Sequence, residues 1–351
     1  MDTITPNIPS VAAVAVEFPP HRHSQDEVMA SLSDFAGPEF ARFAANSGVA
    51  TRQLALPLSR YPTLGGFTEA NDAYLDVALD LSERALRSGL DQAGLTAADV
   101  DIVFSTTVTG LAVPTLEARL ANRLGLRADV KRVPLFGLGC VAGAAGVARM
   151  HDYLRAFPDQ VAVLIAVELC SLTIQRDDHS VANFVAASLF GDGAGAVIAT
   201  GADRSSSTGP RVLATRSRFY PDTEDVMGWD IGSTGFRIKL SVEVATVVEK
   251  YLADDVGKFL ADHGLSTGDI SAWVCHPGGP KVIEAVEGAL DLPSSALDRT
   301  RTSLRRNGNL SSVSVLDVLR NTLADPPPPG STGLMIAMGP GFCSELVLLE
   351  W

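Results

Sequence analysis

Basic residues, paired cysteines and long apolar runs are all scarce in this chain of 351 residues. It has 28 Lys and Arg against 41 Asp and Glu, a formal net charge of −13. Because binding to a phosphate backbone needs a basic face, this charge argues against nucleic acid as a partner. Apolar runs such as 161–167 fall well short of the roughly 18 residues of a membrane span. The first ten residues lack the pattern of a secretion signal, so we expect a cytoplasmic protein with no membrane span.

The four cysteines, Cys140, Cys170, Cys275 and Cys343, occur singly along the chain. None forms a CxxC pair, and no two histidines have the spacing of zinc ligands, so we expect no metal site. In a reducing compartment we also expect no disulfide. Each thiol therefore needs an explanation of its own.

Short apolar segments alternate with alanine-rich segments in which apolar residues recur every three or four positions. The first kind predicts strands and the second predicts helices. The predicted strands are 101–108, 161–169, 193–200, 270–276, 333–339 and 345–351, and the predicted helices are 74–94 and 241–264. Because these strands have few polar breaks, they predict an α/β fold with a sheet covered on both faces. The arginine-rich segment 299–306 is expected to be a solvated loop or a basic mouth for an anionic ligand.

The segments 91–110 and 261–280 align without gaps at a shift of 170 residues. In both, a Gly-Leu-Thr/Ser sequence follows a helix, an aspartate comes three residues later, and a β-type run begins. Glycine ends many helices, so a chance match is the alternative, but the aligned positions favour a duplication. The same shift sets Cys140 against Leu310, which predicts two equivalent strand-to-helix turns whose helix N-termini meet.

Cys140 lies in the first of these turns, in the segment LFGLGCVAGAAGVARM (135–150). Gly137 and Gly139 permit a tight turn before it, and the small residues after it suit a closely packed helix. The positive end of a helix stabilises a thiolate and lowers the pKa of a thiol, which favours a reactive cysteine. The alternative is an inert thiol in the core.

His276 and Asn309 occupy turns of the same kind in the second half of the chain. His276 ends a β-type run, and Pro277 with two glycines forces a turn after it. Asn309 stands at a predicted helix start. A histidine can form an ion pair with a thiolate, and an amide can hold an oxyanion. The alternatives are a surface-turn histidine and an N-cap asparagine. Two other histidines, His151 and His179, lack such turns and are expected at the surface.

Taken together, these motifs resemble the type III polyketide synthases, the chalcone synthase-like branch of the thiolase fold. The resemblance spans nearly the whole chain and is strongest to actinobacterial members, which make long-chain alkylpyrones or alkylresorcinols. It implies a five-layered αβαβα thiolase-like fold of two pseudo-twofold-related halves, 1–210 carrying the cysteine and 211–351 carrying the histidine and asparagine. The motifs that carry it are GC with small residues at 139–146, LFGDGAGAV at 189–197, HPGGP at 276–280, GNLSS at 308–312 and GPG at 339–341.

The resemblance also implies what the site residues do. Cys140 is the nucleophile that takes the acyl group, and His276 keeps it a thiolate. His276 and Asn309 hold the thioester carbonyl and the enolate, and Phe190 is the aromatic gatekeeper between a CoA tunnel and the cavity. Arg42 falls near the residues that meet CoA phosphates. The remaining substrate-binding positions that the resemblance implies are Thr109, Cys170, Thr173, Ile238, Gly278, Gly279 and Ser311.

The expected reaction loads a long-chain fatty acyl-CoA, extends it with malonyl-CoA or methylmalonyl-CoA, and closes an alkylpyrone or alkylresorcinol. CoA thioesters are its substrates, and the resemblance implies no cofactor. It also implies a homodimer, in which the loop near Val113 reaches the partner's cavity. One alternative is a ketoacyl-ACP synthase III, against which the HPGGP and GPG motifs argue. Another is a non-catalytic acyl-binding scaffold subunit, against which the intact cysteine, histidine and asparagine argue.

Overall fold

The computed structural model describes residues 7–204 and 209–351, and for 33–39 it describes the backbone alone. The first six residues, part of the segment searched for a secretion signal, lie outside it. The helices and strands before residue 205 are β1 (Ser10–Glu17), β2 (His21–Ser24), α1 (Gln25–Ala45), β3 (Thr51–Leu54), α2 (Phe67–Ala93), β4 (Ile102–Thr107), α3 (Leu116–Leu124), β5 (Lys131–Phe136), α4 (Ala142–Ala156), β6 (Val161–Leu169), α5 (Val181–Leu189) and β7 (Asp192–Thr200). Those after residue 208 are β8 (Arg211–Phe219), β9 (Met227–Gly232), β10 (Gly235–Leu240), α6 (Val244–Ala261), β11 (Ile270–Cys275), α7 (Pro280–Leu290), α8 (Asp298–Asn307), α9 (Ser312–Ala324), β12 (Thr332–Gly339) and β13 (Cys343–Glu350). All the predicted strands and both predicted helices are confirmed.

Strand order repeats between the two halves of the chain. Within the described residues, the first half has the order β5-β4-β6-β7-β1 and the second half has β11-β12-β13-β8. In the first half β7 runs antiparallel to both neighbours, and in the second half β13 does the same. The two sets join into one nine-stranded order where Ser10 of β1 pairs with Arg211 of β8. The topology confirms two related halves.

Helices and sheets alternate in five layers. The helices α4 and α9 lie in the middle, where they contact each other and strands from both halves. Their apolar side chains form one core with the inward faces of the strands, for example Val147 and Leu316. Helix α2 covers the outer face of the first set of strands, and α6 and α7 cover the outer face of the second. This arrangement confirms the predicted αβαβα thiolase-like fold.

Small residues allow the central helices to approach closely. A Cβ atom added to Gly143 would lie 2.2 Å from the carbonyl oxygen of Ser312, and one added to Gly146 would lie 2.5 Å from the side chain of Leu164. A larger residue at either position would force the layers apart, since interiors are packed as tightly as crystals. The glycines and alanines after Cys140 therefore bring the first turns of α4 and α9 together.

The predicted duplication is visible in the turns that precede β4 and β11. Thr96 and Asp99 form a capping box before β4, and Ser266 and Asp269 form the same box before β11. Gly94 caps the end of α2 and Gly264 lies in the turn after α6, and both have positive φ, at +66° and +71°. The starts of α4 and α9 are also 170 residues apart. Both halves therefore use the same sequence chemistry to leave a helix and enter a strand.

Two expectations about polar segments were wrong. The segment 299–306 belongs to helix α8 and is not a loop, and its Arg299 and Arg301 form ion pairs with Asp325 and Glu287. His151 is buried, with 5% of its surface exposed, because α4 is surrounded by other layers.

No helix of the described residues combines the length and apolar character that crossing a bilayer requires.

Candidate active site

Two cavities meet at Cys140. The inner cavity, of about 220 Å³, and the outer cavity, of about 660 Å³, share Cys140, Phe190 and Met227 in their walls. The predicted residues that line the inner cavity are Thr109, Cys170, Thr173, Ile238 and Ser311. Those that line the outer cavity are Arg42, His276, Gly278, Gly279 and Asn309. The structure thus places every predicted site residue on one cavity or the other.

Cys140 sits in a single 3-10 turn, Gly139–Val141, directly before α4. Gly139 has φ +56°, and a Cβ atom there would lie 2.8 Å from the ring of Pro340. Only glycine fits both restrictions, so this residue sets the path by which the chain reaches the cysteine. The thiol is 6% exposed, and its Sγ lies 3.7 Å from Ser311 Oγ, to which it donates a weak hydrogen bond.

The pKa shifts of Cys140 and His276 run opposite to those expected for the predicted thiolate–imidazolium pair. Burial raises the pKa of the Cys140 thiol to about 12, and the negative charge of Glu168 also acts to raise it. Burial lowers the pKa of His276 to about 4. Both shifts favour the uncharged forms of the two groups. Loss of hydration is the largest cause of both shifts.

His276 stands at the end of β11, where its N–H donates to the carbonyl of Ile336 at 2.9 Å. Its side chain is 9% exposed, and neither ring nitrogen has a hydrogen-bond partner within the described residues. Gly278 N–H donates to the His276 carbonyl at 3.0 Å, which closes the turn that the sequence predicted. A buried ring with two unused nitrogens is ready to bind or accept a proton from a ligand group.

Hydrogen bonds at both ends of its side-chain amide fix the orientation of Asn309. Its Oδ1 accepts from the Ser311 N–H at 2.8 Å, and its Nδ2 donates to the Gly278 carbonyl at 3.3 Å. Because a side-chain amide has two N–H donors, one remains for a ligand in the outer cavity. Ser311 adopts φ +51°, a region that non-glycine residues seldom occupy and that is found at functional sites.

Phe190 and Asn309 are joined through their backbones. The Asn309 N–H donates to the Leu189 carbonyl at 2.8 Å, and the Gly191 N–H donates to the Asn309 carbonyl at 2.9 Å. A Cβ atom on Gly191 would lie 2.2 Å from the carbonyl of Asn307, so only glycine allows this contact. The aromatic side chain between the cavities and the amide donor are therefore held as one unit.

Sequence reasoning missed Glu168, the last but one residue of the buried strand β6. Its carboxyl accepts hydrogen bonds from Ser312 Oγ at 2.7 Å, Thr109 Oγ1 at 2.9 Å and the Val108 N–H at 3.1 Å. Burial raises its pKa to about 7. The available signal was one acidic residue in the otherwise apolar run VAVLIAVEL.

The hairpin of β9 and β10 closes one side of the inner cavity. This wall contains Met227, Trp229 and Ile231 from β9 and Ile238 from β10. Ile238 pairs with Trp229 across the hairpin. The Trp229 ring lies 5.8 Å from the ring of Phe236, which is buried. The predicted wall residue Ile238 is therefore accompanied by a much larger side chain, that of Trp229, in the same wall.

The arrangement suits acyl transfer followed by carbon–carbon bond formation. A thiol at the boundary of two cavities can be acylated from one side and release a chain into the other. A neutral imidazole can accept the thiol proton, and imidazole and amide donors can stabilise negative charge on a thioester oxygen. No group of three or more His, Cys, Asp or Glu side chains in the described part of the chain is arranged to hold a metal ion.

Two family models match the chain. Residues 40–204 match the N-terminal domain of chalcone and stilbene synthases, and residues 211–350 match the C-terminal domain. A 1,3,6,8-tetrahydroxynaphthalene synthase of Streptomyces peucetius subsp. caesius is 54% identical over 97% of this chain and 93% of that protein. A phloroglucinol synthase of Pseudomonas fluorescens is 32% identical over 96% of this chain and 97% of that protein.

Solved structures give the same assignment. The crystal structure of 1,3,6,8-tetrahydroxynaphthalene synthase from Streptomyces coelicolor, a bacterial type III polyketide synthase, superposes with a TM-score of 0.93 at 30% identity. The match covers 97% of this chain and 99% of that one. Germicidin synthase from the same organism, also a type III polyketide synthase, superposes with a TM-score of 0.90 at 25% identity, over 98% of this chain and all of that one.

Proposed function

Because the chain belongs to the chalcone and stilbene synthase family and is a type III polyketide synthase, a decarboxylative condensing acyltransferase, we propose that it makes 1,3,6,8-tetrahydroxynaphthalene from malonyl-CoA alone. The observation that carries this choice is the 54% identity to a synthase of that name along nearly the whole chain. The inner cavity of about 220 Å³ also favours a compact product, since it lies below the roughly 300–1,000 Å³ of common ligand pockets.

The reaction balances without any oxidant or reductant. Five malonyl-CoA molecules give one tetrahydroxynaphthalene, five CO₂, five CoA and one water. Four decarboxylative condensations build the chain, and the terminal carboxyl of the starter leaves as the fifth CO₂. One ring closes by an aldol step that loses water, and the other by attack on the thioester, which releases the enzyme thiol. The chemistry therefore calls for no nicotinamide, flavin or metal, and its CoA thioesters support a cytoplasmic location.

In the loading step, the thiol of Cys140 attacks the thioester of malonyl-CoA in the outer cavity. His276 accepts the thiol proton and passes it to the departing CoA sulfur. A second malonyl-CoA then loses CO₂, and its enolate oxygen is stabilised by the imidazole and by the free N–H of Asn309. The enolate attacks the acyl group on Cys140, which breaks the Cys140 thioester and leaves the lengthened chain on CoA. Transfer of that chain back to Cys140 releases the CoA, and the chain extends past Phe190 into the inner cavity.

The CoA phosphates are proposed to lie at the open end of the outer cavity. Arg42 and Lys281 are the cations in its wall, and both are exposed. Lys281 lies in the first turn of α7, a helix start whose Gly279 provides no side-chain cap. In a chain with a net charge of −13, such a local cationic mouth offsets the repulsion of an anionic substrate.

A long-chain acyl-CoA starter, giving an alkylpyrone or alkylresorcinol, is the second candidate. It is supported by Ile238 and Cys170, which leave part of the inner wall small and non-aromatic. Mass spectrometry of the products distinguishes the two. We expect the enzyme to form the naphthalene product from malonyl-CoA alone and to use dodecanoyl-CoA poorly as a starter. Preference for dodecanoyl-CoA over malonyl-CoA as starter would overturn the first proposal.

Trp229→Ala tests the limit on cavity depth within the same assay. Removing the indole opens the inner cavity, so we expect the variant to use hexanoyl- and dodecanoyl-CoA starters at least about tenfold better relative to malonyl-CoA, a change of about 1.4 kcal/mol in discrimination. Asp230→Ala is the matched control, since Asp230 is exposed on the same strand and lines neither cavity. An unchanged starter preference in Trp229→Ala would show that another residue sets the limit.

A homodimer is proposed to cover the outer edge of the sheet. Edge strand β5 is half exposed, and the loop after β4 presents Leu111 and Val113, which is 94% exposed. Thr107, from which this loop departs, pairs with Phe136 at the end of β5, and Phe136 is itself exposed and lines the inner cavity. An apolar loop beside a cavity opening and an unpaired edge is typical of an interface.

Light scattering measures the oligomeric state of the protein in solution. We expect the wild type to be a dimer and Val113→Asp to shift it toward monomer, because the substitution buries a charge in the interface. Val242→Asp is the control, since Val242 is equally exposed but lies on the outer cavity, away from β5. A monomeric wild type would contradict the proposal.

A further inference from the structure

We propose that Arg52 is a positioning residue of this active site: its buried guanidinium holds the backbone of Phe190, and through it Asn309, in the place that condensation requires. The inference rests on the roles proposed above for Phe190 and Asn309. Arg52 lies on the short strand β3 and lines neither cavity, so it acts through these residues and not on the substrate.

Arg52 is costly to bury. It is 1% exposed, and burial lowers the pKa of its guanidinium to about 10, which still leaves it charged at neutral pH. Its Nε and Nη2 have no hydrogen-bond partner among the described residues. An apolar side chain of similar size would usually stabilise such a place better than an arginine with unused donors. The charge therefore needs an explanation other than stability.

Among the residues that the structure describes, this side chain makes one hydrogen bond, and that bond points to the explanation. Arg52 Nη1 donates to the carbonyl of Phe190 at 2.7 Å. A charged donor makes a stronger and more directional hydrogen bond than a neutral one, so the peptide that follows Phe190 is fixed in orientation. The Gly191 N–H of that same peptide donates to the Asn309 carbonyl at 2.9 Å. The guanidinium, the peptide and the asparagine thus form one continuous chain of contacts.

The negative charge of a buried carboxylate also acts on the guanidinium. The charge of Asp192 acts on Arg52, and Asp192 accepts from the Ala55 N–H at 2.6 Å and from the Ser171 N–H at 2.8 Å. The Ser171 hydroxyl also donates to Asp192 and lies in the wall of the inner cavity beside Cys170. Hydrogen bonds therefore tie Arg52 to the Phe190 segment, and Asp192 to Ala55, just after β3, and to the cavity wall at Ser171.

Arg52→Met tests the proposal, because methionine keeps most of the volume and removes the charge and the donor. We expect kcat for condensation to fall about 10- to 100-fold, as small misplacements of catalytic groups do, with KM for malonyl-CoA within twofold of the wild type. More CO₂ should be released per product formed, since an enolate that meets a displaced acyl group is lost to protonation. Arg52→Lys restores a charged donor and should recover part of kcat.

Hydrogen exchange measured by mass spectrometry gives a second readout that does not depend on the product. In Arg52→Met, the amides of Gly191 and Asn309 should exchange faster, while those of strand β6 should not. Arg22→Met is the matched control, since Arg22 lies on the neighbouring strand β2 and is exposed.

Unchanged kcat together with unchanged exchange at Gly191 and Asn309 would overturn the proposal. If Arg52→Met does not fold, Arg52→Lys carries the test, with an expected three- to tenfold lower kcat, unchanged KM and faster exchange at the same two amides. Wild-type behaviour of that variant would equally contradict the role. A wild type that makes some other polyketide would refute the proposed product but leave this comparison valid, because the exchange readout compares the variants without reference to any product.

Discussion

Cys140→Ala abolishes polyketide formation. Without the sulfur no acyl chain can be held between the two cavities, and we expect product to fall by at least about 10⁴-fold, in line with losses of covalent nucleophiles elsewhere. His276 and Asn309 remain in place, so the variant should still release CO₂ from malonyl-CoA at a measurable rate. Product analysis together with a CO₂ assay checks both parts.

Two other cysteines serve as controls for this result. Cys343→Ala should retain activity within a factor of about two, because Cys343 lines neither cavity. Substitutions away from a functional site usually have small effects. Cys170→Ala should retain condensation with a changed product pattern, because Cys170 lines the inner cavity. Product formed by Cys140→Ala at a comparable rate would refute the assignment of the nucleophile.

His276→Ala is expected to have the next largest effect. It removes both the proton acceptor for the thiol and one donor to the enolate, and a single donor is worth about 10²–10³ in rate. We therefore expect a loss of at least about 10³-fold. His276→Gln retains a donor but cannot accept the proton, so it should keep more decarboxylation than His276→Ala while loading remains slow. Equal loading rates in His276→Gln and the wild type would contradict the proton-transfer role.

The pH dependence follows from the direction of the two pKa shifts. Burial lowers the pKa of His276 to about 4, so the ring is a neutral base above that pH and loses this capacity only as the pH falls through 4. Burial raises the pKa of Cys140 to about 12, so alkylation by iodoacetamide should accelerate steadily between pH 7 and 9. An alkylation rate already constant at pH 6–7 would instead indicate the thiolate that the sequence alone suggested.

Proton linkage at His276 also affects stability. An unfolded histidine has a pKa of about 6.5. Between about pH 6.5 and 4, His276 therefore binds a proton in the unfolded chain but stays neutral in the folded chain. Stability consequently falls as the pH is lowered through that window, with the site contributing fully above it.

Much of the fold was predictable because it depends on local rules. Apolar runs bounded by glycine and proline marked the central strands, and a shift of 170 residues exposed the duplication through two capping boxes. The turns that carry Cys140, His276 and Asn309 were predictable for the same reason, since glycines at fixed positions permit backbone paths that other residues do not.

Other features depend on contacts between distant segments. Strand β5 contains Lys131, Arg132 and Pro134, and only its pairing with β4 reveals it as a strand. Nothing in the sequence TRQL shows that Arg52 is buried or that it reaches Phe190, which lies 138 residues away. The direction of the thiol pKa likewise depends on desolvation by the surrounding layers, which the local sequence does not show.

The central claim is that Cys140 carries the growing chain. The most direct measurement is peptide mass spectrometry of enzyme quenched with acid during turnover of malonyl-CoA. Trypsin separates the segment 133–149, which contains Cys140, from the segment 156–176, which contains Cys170. We expect acyl thioester masses on the first peptide and none on the second. Adducts on the Cys170 peptide, with the Cys140 peptide unmodified during turnover, would contradict the account.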